Sequence, residues 1–219
     1  MVKLIDSKYL DHVTKLSAVQ DIRAHMRDLL DLKGDVNLTI VDFGCGPGDE
    51  AAKIALLIPK GSVIGIDNDP EMINIANARH RIDNLKFKAG DICNLNESDS
   101  FAHGVRIERV LQHLKDPMRA IEEAYRILRV DGFFVAFEPD WGTLTFPYHD
   151  SETTQSILTN LQKSIQNPYI GRKLPKLLEQ VGFKNISYTA KVAVLHSLED
   201  ANMVFELEES IESAVKENS

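Results

Sequence analysis

Three glycines at alternate positions close the run Ile40-Val41-Asp42-Phe43-Gly44-Cys45-Gly46-Pro47-Gly48. The residues before them are apolar and β-prone. Those after them, Asp49 to Ile58, carry a helical pattern that stops before Pro59. Glycine at a strand-to-helix corner permits a tight turn and lets a ligand approach bare backbone. The helix start adds unpaired N–H groups and a partial positive charge. Gly44, Cys45, Gly46 and Gly48 are therefore candidate binding residues. A dinucleotide loop spaces its glycines G-x-G-x-x-G, whereas here the third comes one residue earlier. Asp42 precedes the loop, and Asp49 and Glu50 follow it. Carboxylates on both sides of one turn repel a pyrophosphate. They suit a ligand that carries an ammonium and a sulfonium beside a single carboxylate, as S-adenosylmethionine does. Asp42 is expected to meet such a ligand directly or through water, and Asp49 and Glu50 to complement the helix dipole.

Further acidic residues follow at strand ends. Asp67 closes VIGID roughly 20 residues beyond the loop, where a carboxylate can accept from both hydroxyls of a ribose. Asn68 beside it is a second binding position, although it also reads as a turn residue. Met72, one turn on, can pack on an adenine or sit in the core. Asp91 ends KAGD and can accept from an adenine amino group, with Ile92 adding backbone N–H and an apolar contact; a plain turn aspartate fits the spacing equally. Candidates for a general base are His113, Glu138, Asp140 and His149, and each has a structural alternative as a packed, capping or loop residue. Trp141, the only tryptophan, fits a substrate wall or the core. No metal site is expected.

Elements that alternate along the chain must position these residues. Short apolar runs at Leu38–Phe43, Ser62–Ile66, Leu85–Ala89, Val105–Glu108 and in FFVAFEP read as strands. Asp69-Pro70 and Asp116-Pro117 pair a helix cap with proline at the first helical position. Ile121, Ala124, Tyr125 and Leu128 share one helical face, and Asp131-Gly132 reads as that helix's end. Strands alternating with helices mean right-handed βαβ units: a Rossmann-like, doubly wound, mostly parallel sheet in an α/β three-layer arrangement. Val13, Leu16, Val19, Gln20, Arg23 and Met26 to Leu30 suggest amphipathic helix before the first strand. The expected organisation is one domain over 1–219. Residues 1–36 form a helical cap, 37–139 the cofactor-binding core and 140–170 a substrate-side insertion. Residues 171–219 supply a helix, a strand and an acidic helix.

Composition bounds the rest. The 219 residues are 43% hydrophobic and 26% charged, as in globular proteins. No apolar run approaches the roughly 20 residues that cross a bilayer, and Asp6, Lys8 and Asp11 interrupt any signal-peptide core. A net charge of -8 without a Lys/Arg block disfavours nucleic acid and anionic membranes. Cys45 and Cys93 make no disulfide framework or metal cluster and read as reduced thiols in a cytoplasm.

The ordered set VDFGCGPG, VIGID, AGDI, RVLQHLKDP and FEP resembles the class I S-adenosylmethionine-dependent methyltransferases over roughly residues 36–190. Arg106 to Pro117, with EPDWGT, is similar to the small-molecule branch that includes ubiquinone and menaquinone C-methyltransferases and natural-product methyltransferases. The resemblance implies that Gly44, Gly46 and Gly48 surround the methionine moiety, Asp67 the ribose, and Asp91 with Ile92 the adenine. Arg109 would line the cofactor near the sulfonium, largely through backbone. The implied activity is methyl transfer to a small-molecule O, N or C acceptor. A non-catalytic S-adenosylmethionine-binding protein and an NAD(P)-dependent oxidoreductase are the alternatives. LRVDG departs from the family's proline and paired glycines before the fifth strand. The family sheet ends in two further strands, whereas Asn185 to His196 supplies one β-rich run and Leu198 to Val215 reads as helix. The seventh strand is therefore expected to be missing, with the fifth strand's edge left for the sixth or for a second copy of the chain.

Overall fold

The computed structural model describes residues 10–11, 13–32, 37–147 and 150–205. Strand β1 (Thr39–Phe43) is apolar on both faces apart from Thr39 at its start and Asp42, so it belongs in the middle of a sheet. It lies between β2 (Ser62–Asp67) and β4 (Ala102–Glu108), with β3 (Leu85–Ala89) outside β2 and β5 (Leu128–Phe137) outside β4. Every neighbouring pair is parallel, in the order β3-β2-β1-β4-β5.

Helices cover both faces. On one, Ile22 and Met26 of α1 (Ser17–Leu29) and Ala51, Ile54 and Ala55 of α2 (Asp49–Leu57) bury Ile40, Val63 and Val135. Helix α3 (Pro70–Arg79) runs along β2 and β3. On the other face, Ala120, Ile121, Ala124 and Ile127 of α4 (Pro117–Ile127) pack with Ile170 and Leu174 of α6 (Ile170–Val181) on Val41, Phe43, Val105 and Ile107. The cap-and-proline starts form as expected. Asp69 accepts from the Glu71 N–H at 2.8 Å and Asp116 from the Arg119 N–H at 3.3 Å. Helix α5 (Ser151–Ser164) lies in the 140–170 insertion, and α7 (Leu198–Phe205) follows the long C-terminal run.

Several boundaries differ from expectation. Strand β4 begins at Ala102, where Ala-His-Gly has no β pattern of its own and pairing supplies the order. Helix α4 ends at Ile127, and LRVDG belongs to β5, which bulges there as its register jumps from Ala102↔Leu128 to Gly104↔Phe133. Asp131, at φ 64°, takes up the kink. Tyr125 is 47% exposed and meets Phe183 edge-on, outside the α4 core face. FFVAFEP is an edge strand and not a buried one; Phe133 is 47% exposed. The run Asn185–His196 forms no strand, so nothing among the described residues pairs with the outer edge of β5. The expected helix beyond Phe205, and His149, lie outside the described residues.

Candidate cofactor and active site

The crevice opens at the carboxyl ends of the strands, where the sheet order reverses between β1 and β4. Gly44, Gly46, Asp67, Asn68, Met72, Asp91, Ile92, Arg109, His113 and Glu138 all line it. Gly44, Gly46 and Gly48 have φ of 66°, 52° and 85°, a left-handed backbone that other residues rarely adopt. A Cβ on Gly44 would sit 2.3 Å from a methyl of Val110. One on Gly46 would meet only Leu10, at 3.4 Å, so the loop tip is bare towards the crevice. Asp67 fixes that tip. One carboxylate oxygen accepts from the Gly46 N–H at 2.8 Å and the other from the Asp69 N–H at 3.0 Å. Burial pushes its carboxyl up, against the pull of those N–H donors.

Not every expected residue faces the crevice. Gly48 is packed against Phe87, 2.4 Å from where its Cβ would lie, and it serves helix–sheet packing. The Cys45 sulfur lies under Gly65, and burial together with Asp42 and Asp67 pushes its thiol up, keeping it protonated. Its N–H donates to the Ile66 carbonyl and its own carbonyl accepts from the Gly48 N–H at 3.1 Å, so its backbone is already engaged within the loop. Asp91 is exposed and accepts from the Cys93 N–H at 2.9 Å, closing its own turn with one oxygen. Arg109 donates its N–H to the Phe137 carbonyl, and its own carbonyl accepts from the Gln112 side chain at 3.1 Å. Its backbone is thus already engaged within the protein.

Asp42 is also placed differently. The parallel register sets it beside Arg106, whose guanidinium it meets at 2.7 Å, and it is 1% exposed. Glu108, two residues along the same face of β4, pairs with Arg106 and takes both its oxygens to Arg23 Nε at 3.0 Å. Glu50, buried at the start of α2, pairs with Arg27 and, at 2.8 Å, with Lys53. It therefore anchors α1 and does more than complement the helix dipole. Burial raises the Asp42 carboxyl despite Arg106. Burial works the same way on Glu108, yet Arg106 and Arg23 outweigh it and hold that carboxyl below its ordinary value. Asp42 lines a small cavity of about 60 Å³ together with Leu10, Thr14, Gly44, Gly46 and Arg109. One of its oxygens has no partner among the described residues.

On the acceptor side the turn Leu111–His113 follows β4. Glu138, 8% exposed, accepts from three successive N–H groups there: Val110 at 2.8 Å, Leu111 at 2.7 Å and Gln112 at 3.3 Å. A carboxylate so occupied holds a turn and is poorly placed to take a proton from a substrate. Burial pushes it up to about 7, against those N–H groups and Arg109. Asp140 gives both oxygens to Arg172, at 2.5 and 2.8 Å. His113 stands at the rim, and the protein around it together with Arg109 holds its imidazole below the ordinary value, hence neutral at pH 7. Trp141 is half-buried in the wall and donates its indole N–H to Gln112 Oε1 at 2.7 Å. The Asn167 side chain donates to the carbonyls of Leu111 and Leu114. Leu10, Val13, Val19, Ile22 and Met26, and Leu144, Phe146 and Leu161 of the insertion, border the same open space.

Arg106, Glu108, Gln112 and Asn167 were not singled out from the sequence, and Arg23 was read only as part of the amphipathic helix before β1. The signal for the first two was present: charges at alternate positions of an otherwise buried strand require a partner. Gln112 and Asn167 carry no comparable mark. Among the described residues, no group of three His, Cys, Asp or Glu side chains is placed to hold a metal, and no helix is long and apolar enough to cross a membrane.

A parallel sheet of this order, with a glycine loop after β1 and a carboxylate at the end of β2, defines a Rossmann-like methyltransferase fold. A methyltransferase domain family model matches residues 34–202, and the chain belongs to that family. It is 35% identical over 212 residues to an uncharacterised 37.1 kDa protein in transposon TN4556 of Streptomyces fradiae, covering 94% of this chain and 60% of that one. It is 28% identical to a demethylmenaquinone methyltransferase of Lactobacillus johnsonii, over 68% of this chain and 69% of that one. A solved SAM-dependent methyltransferase from Aquifex aeolicus shares the fold at a TM-score of 0.59 and 16% identity, covering 82% of this chain and 89% of that one. The chain thus spans less than two thirds of the Streptomyces relative's length.

Proposed function

We propose that this chain transfers the methyl group of S-adenosylmethionine to an O, N or C atom of a small-molecule acceptor. One observation carries the reading: Asp67 reaches from the end of β2 to the Gly46 N–H, so glycine loop and ribose carboxylate form one unit beside open space. Gly44 and Gly46 lie against the methionine portion, Asp67 and Asn68 against the ribose, and Met72, Asp91 and Ile92 around the adenine. Arg109 lies near the sulfonium, and Asp42 acts through water from the adjoining cavity. The cofactor supplies an already activated methyl. The chain's residues therefore mainly align the acceptor and exclude water, and positioning of this kind is worth about 7–11 kcal/mol of barrier. The neutral His113 accepts a proton when the nucleophile is a hydroxyl or carbon acid. The apolar walls from α1 and the insertion, and the net charge of -8, favour a small organic acceptor over nucleic acid. The free thiols of Cys45 and Cys93 favour the cytoplasm, and the open edge of β5 favours a homo-oligomer.

Calorimetric titration with S-adenosylmethionine, S-adenosylhomocysteine and NAD tests the cofactor. A radiolabelled-methyl screen over phenols, amines, quinol precursors and tRNA tests the acceptor. Tight binding of the first two with label transfer to a small molecule is the expected result. Preference for NAD overturns the cofactor reading, and cofactor binding without transfer to any acceptor turns it towards a non-catalytic binding protein.

A further inference from the structure

Glu138 belongs to β5's carboxyl end, yet it grips the turn that follows β4, 26 to 28 residues earlier in the chain. One oxygen takes the N–H groups of Val110 and Leu111, and the other takes that of Gln112. Two of the residues it holds reach opposite sides of the crevice. Val110 lies against the glycine loop so closely that Gly44 has no room for a Cβ. The Gln112 side chain bridges the Arg109 carbonyl and the Trp141 indole, and its own carbonyl accepts the Asn167 N–H at 2.9 Å. We infer that Glu138 is the positioning residue that ties the cofactor side of the crevice to its acceptor wall, acting through Val110 on the glycine loop and through Gln112 on Trp141.

The division of its oxygens makes the role testable atom by atom. Glu138→Ala removes both acceptors. Glu138→Gln keeps the shape and one acceptor oxygen, but turns an NH₂ towards the Gln112 N–H. Hydrogen exchange at single amides needs no cofactor and reads the grip directly. In Glu138→Ala, Val110, Leu111 and Gln112 should all exchange about tenfold faster or more. In Glu138→Gln only Gln112 should do so. Trp141 is the sole tryptophan, and its emission should shift in both variants as Gln112 loses its hold. Resting on the proposed cofactor, S-adenosylhomocysteine should bind roughly tenfold more weakly to Glu138→Ala, with a smaller loss for Glu138→Gln. If Glu138→Ala does not fold, the isosteric Glu138→Gln carries the test alone. Unchanged protection of Gln112 and unchanged Trp141 emission in a folded Glu138→Gln overturn the inference. So does equal acceleration across the whole chain, which marks a loss of stability and not of a local grip. Wild-type protein that ignores S-adenosylhomocysteine while the amide pattern appears overturns the cofactor reading and leaves the positioning role standing.

Discussion

Single carboxylates set the character of the site, and their surroundings sort them into different tasks. Asp67 binds the Gly46 and Asp69 N–H groups and still borders open space, the geometry on which its proposed ribose role rests. Asp67→Ala should weaken S-adenosylhomocysteine roughly 10- to 100-fold by calorimetry, at about 1–3 kcal/mol for acceptors lost; an unchanged Kd removes Asp67 from the ribose. Glu138 is raised from an ordinary 4.5 to about 7 by burial. The folded state therefore holds its proton where the unfolded chain has released it. The stability it contributes is complete below pH 4.5 and is lost as pH rises through about 7. At about 1.36 kcal/mol per pH unit the change approaches ~3 kcal/mol. Urea denaturation at pH 5 and pH 8 should show wild type losing that much relative to Glu138→Gln, and parallel pH profiles would contradict it. The placement of Asp67 beside the loop was legible in the sequence because its register with the loop is local to one βαβ unit. The grip of Glu138 was not, since its partners are backbone groups of a turn 26 to 28 residues away.

At the scale of elements, α1 is fixed to the sheet by charge as much as by apolar contact. Arg23 meets Glu108 on β4, and Arg27 meets Glu50 on α2, beside the buried Ile22 and Met26. Amphipathic spacing revealed the helix. That spacing included Arg23, but it could not name Glu108 as the partner with which Arg23 lies inside at 8% exposure, because the partner depends on which strand ends beneath it. Glu108→Ala leaves Arg106 and Arg23 buried without their shared partner and should cost about 3–5 kcal/mol in denaturant unfolding. A loss below ~1 kcal/mol would show that Asp42 and Glu50 suffice. Arg23→Met keeps the stem's packing and leaves Glu108 with Arg106, so its effect should be local: faster hydrogen exchange in α1 with little change in the sheet. Helix α1 and the insertion both line the crevice. Ligand should therefore slow exchange in residues 17–29 and 141–165 more than in the strands' amino ends, and equal protection everywhere argues against a cover.

For the molecule as a whole, the order of motifs was enough to mark the five strands but not their places in the sheet: β3 and β4 follow one another without a helix between them, yet they lie on opposite sides of the β2–β1 pair. The run Asn185–His196 shows where that logic stops. Its β-rich composition expresses a preference for pairing, but composition does not name the partner, and along this run no ladder forms. Among the described residues, the edge of β5 and this run are thus both left without a strand partner. Among the described residues the outer edge of β5 has no strand beside it, with Val130 at 89% and Phe133 at 47% exposure. The C-terminal run presents Tyr188, Val192 and Val194 at 79%, 86% and 61%. The homo-oligomer proposed above would then form by strand addition between copies, each giving its run to the other's edge. Sedimentation of this chain should show concentration-dependent association. Phe133→Lys with Val194→Lys places a charge on each half and should weaken association roughly tenfold or more, since like charges facing each other across a ladder repel. Neither residue touches Asp67 or the glycine loop, so S-adenosylhomocysteine affinity should survive in the variant. A wild-type chain that stays monomeric at every concentration, with an ordinary melting temperature, would show that the edge is tolerated alone.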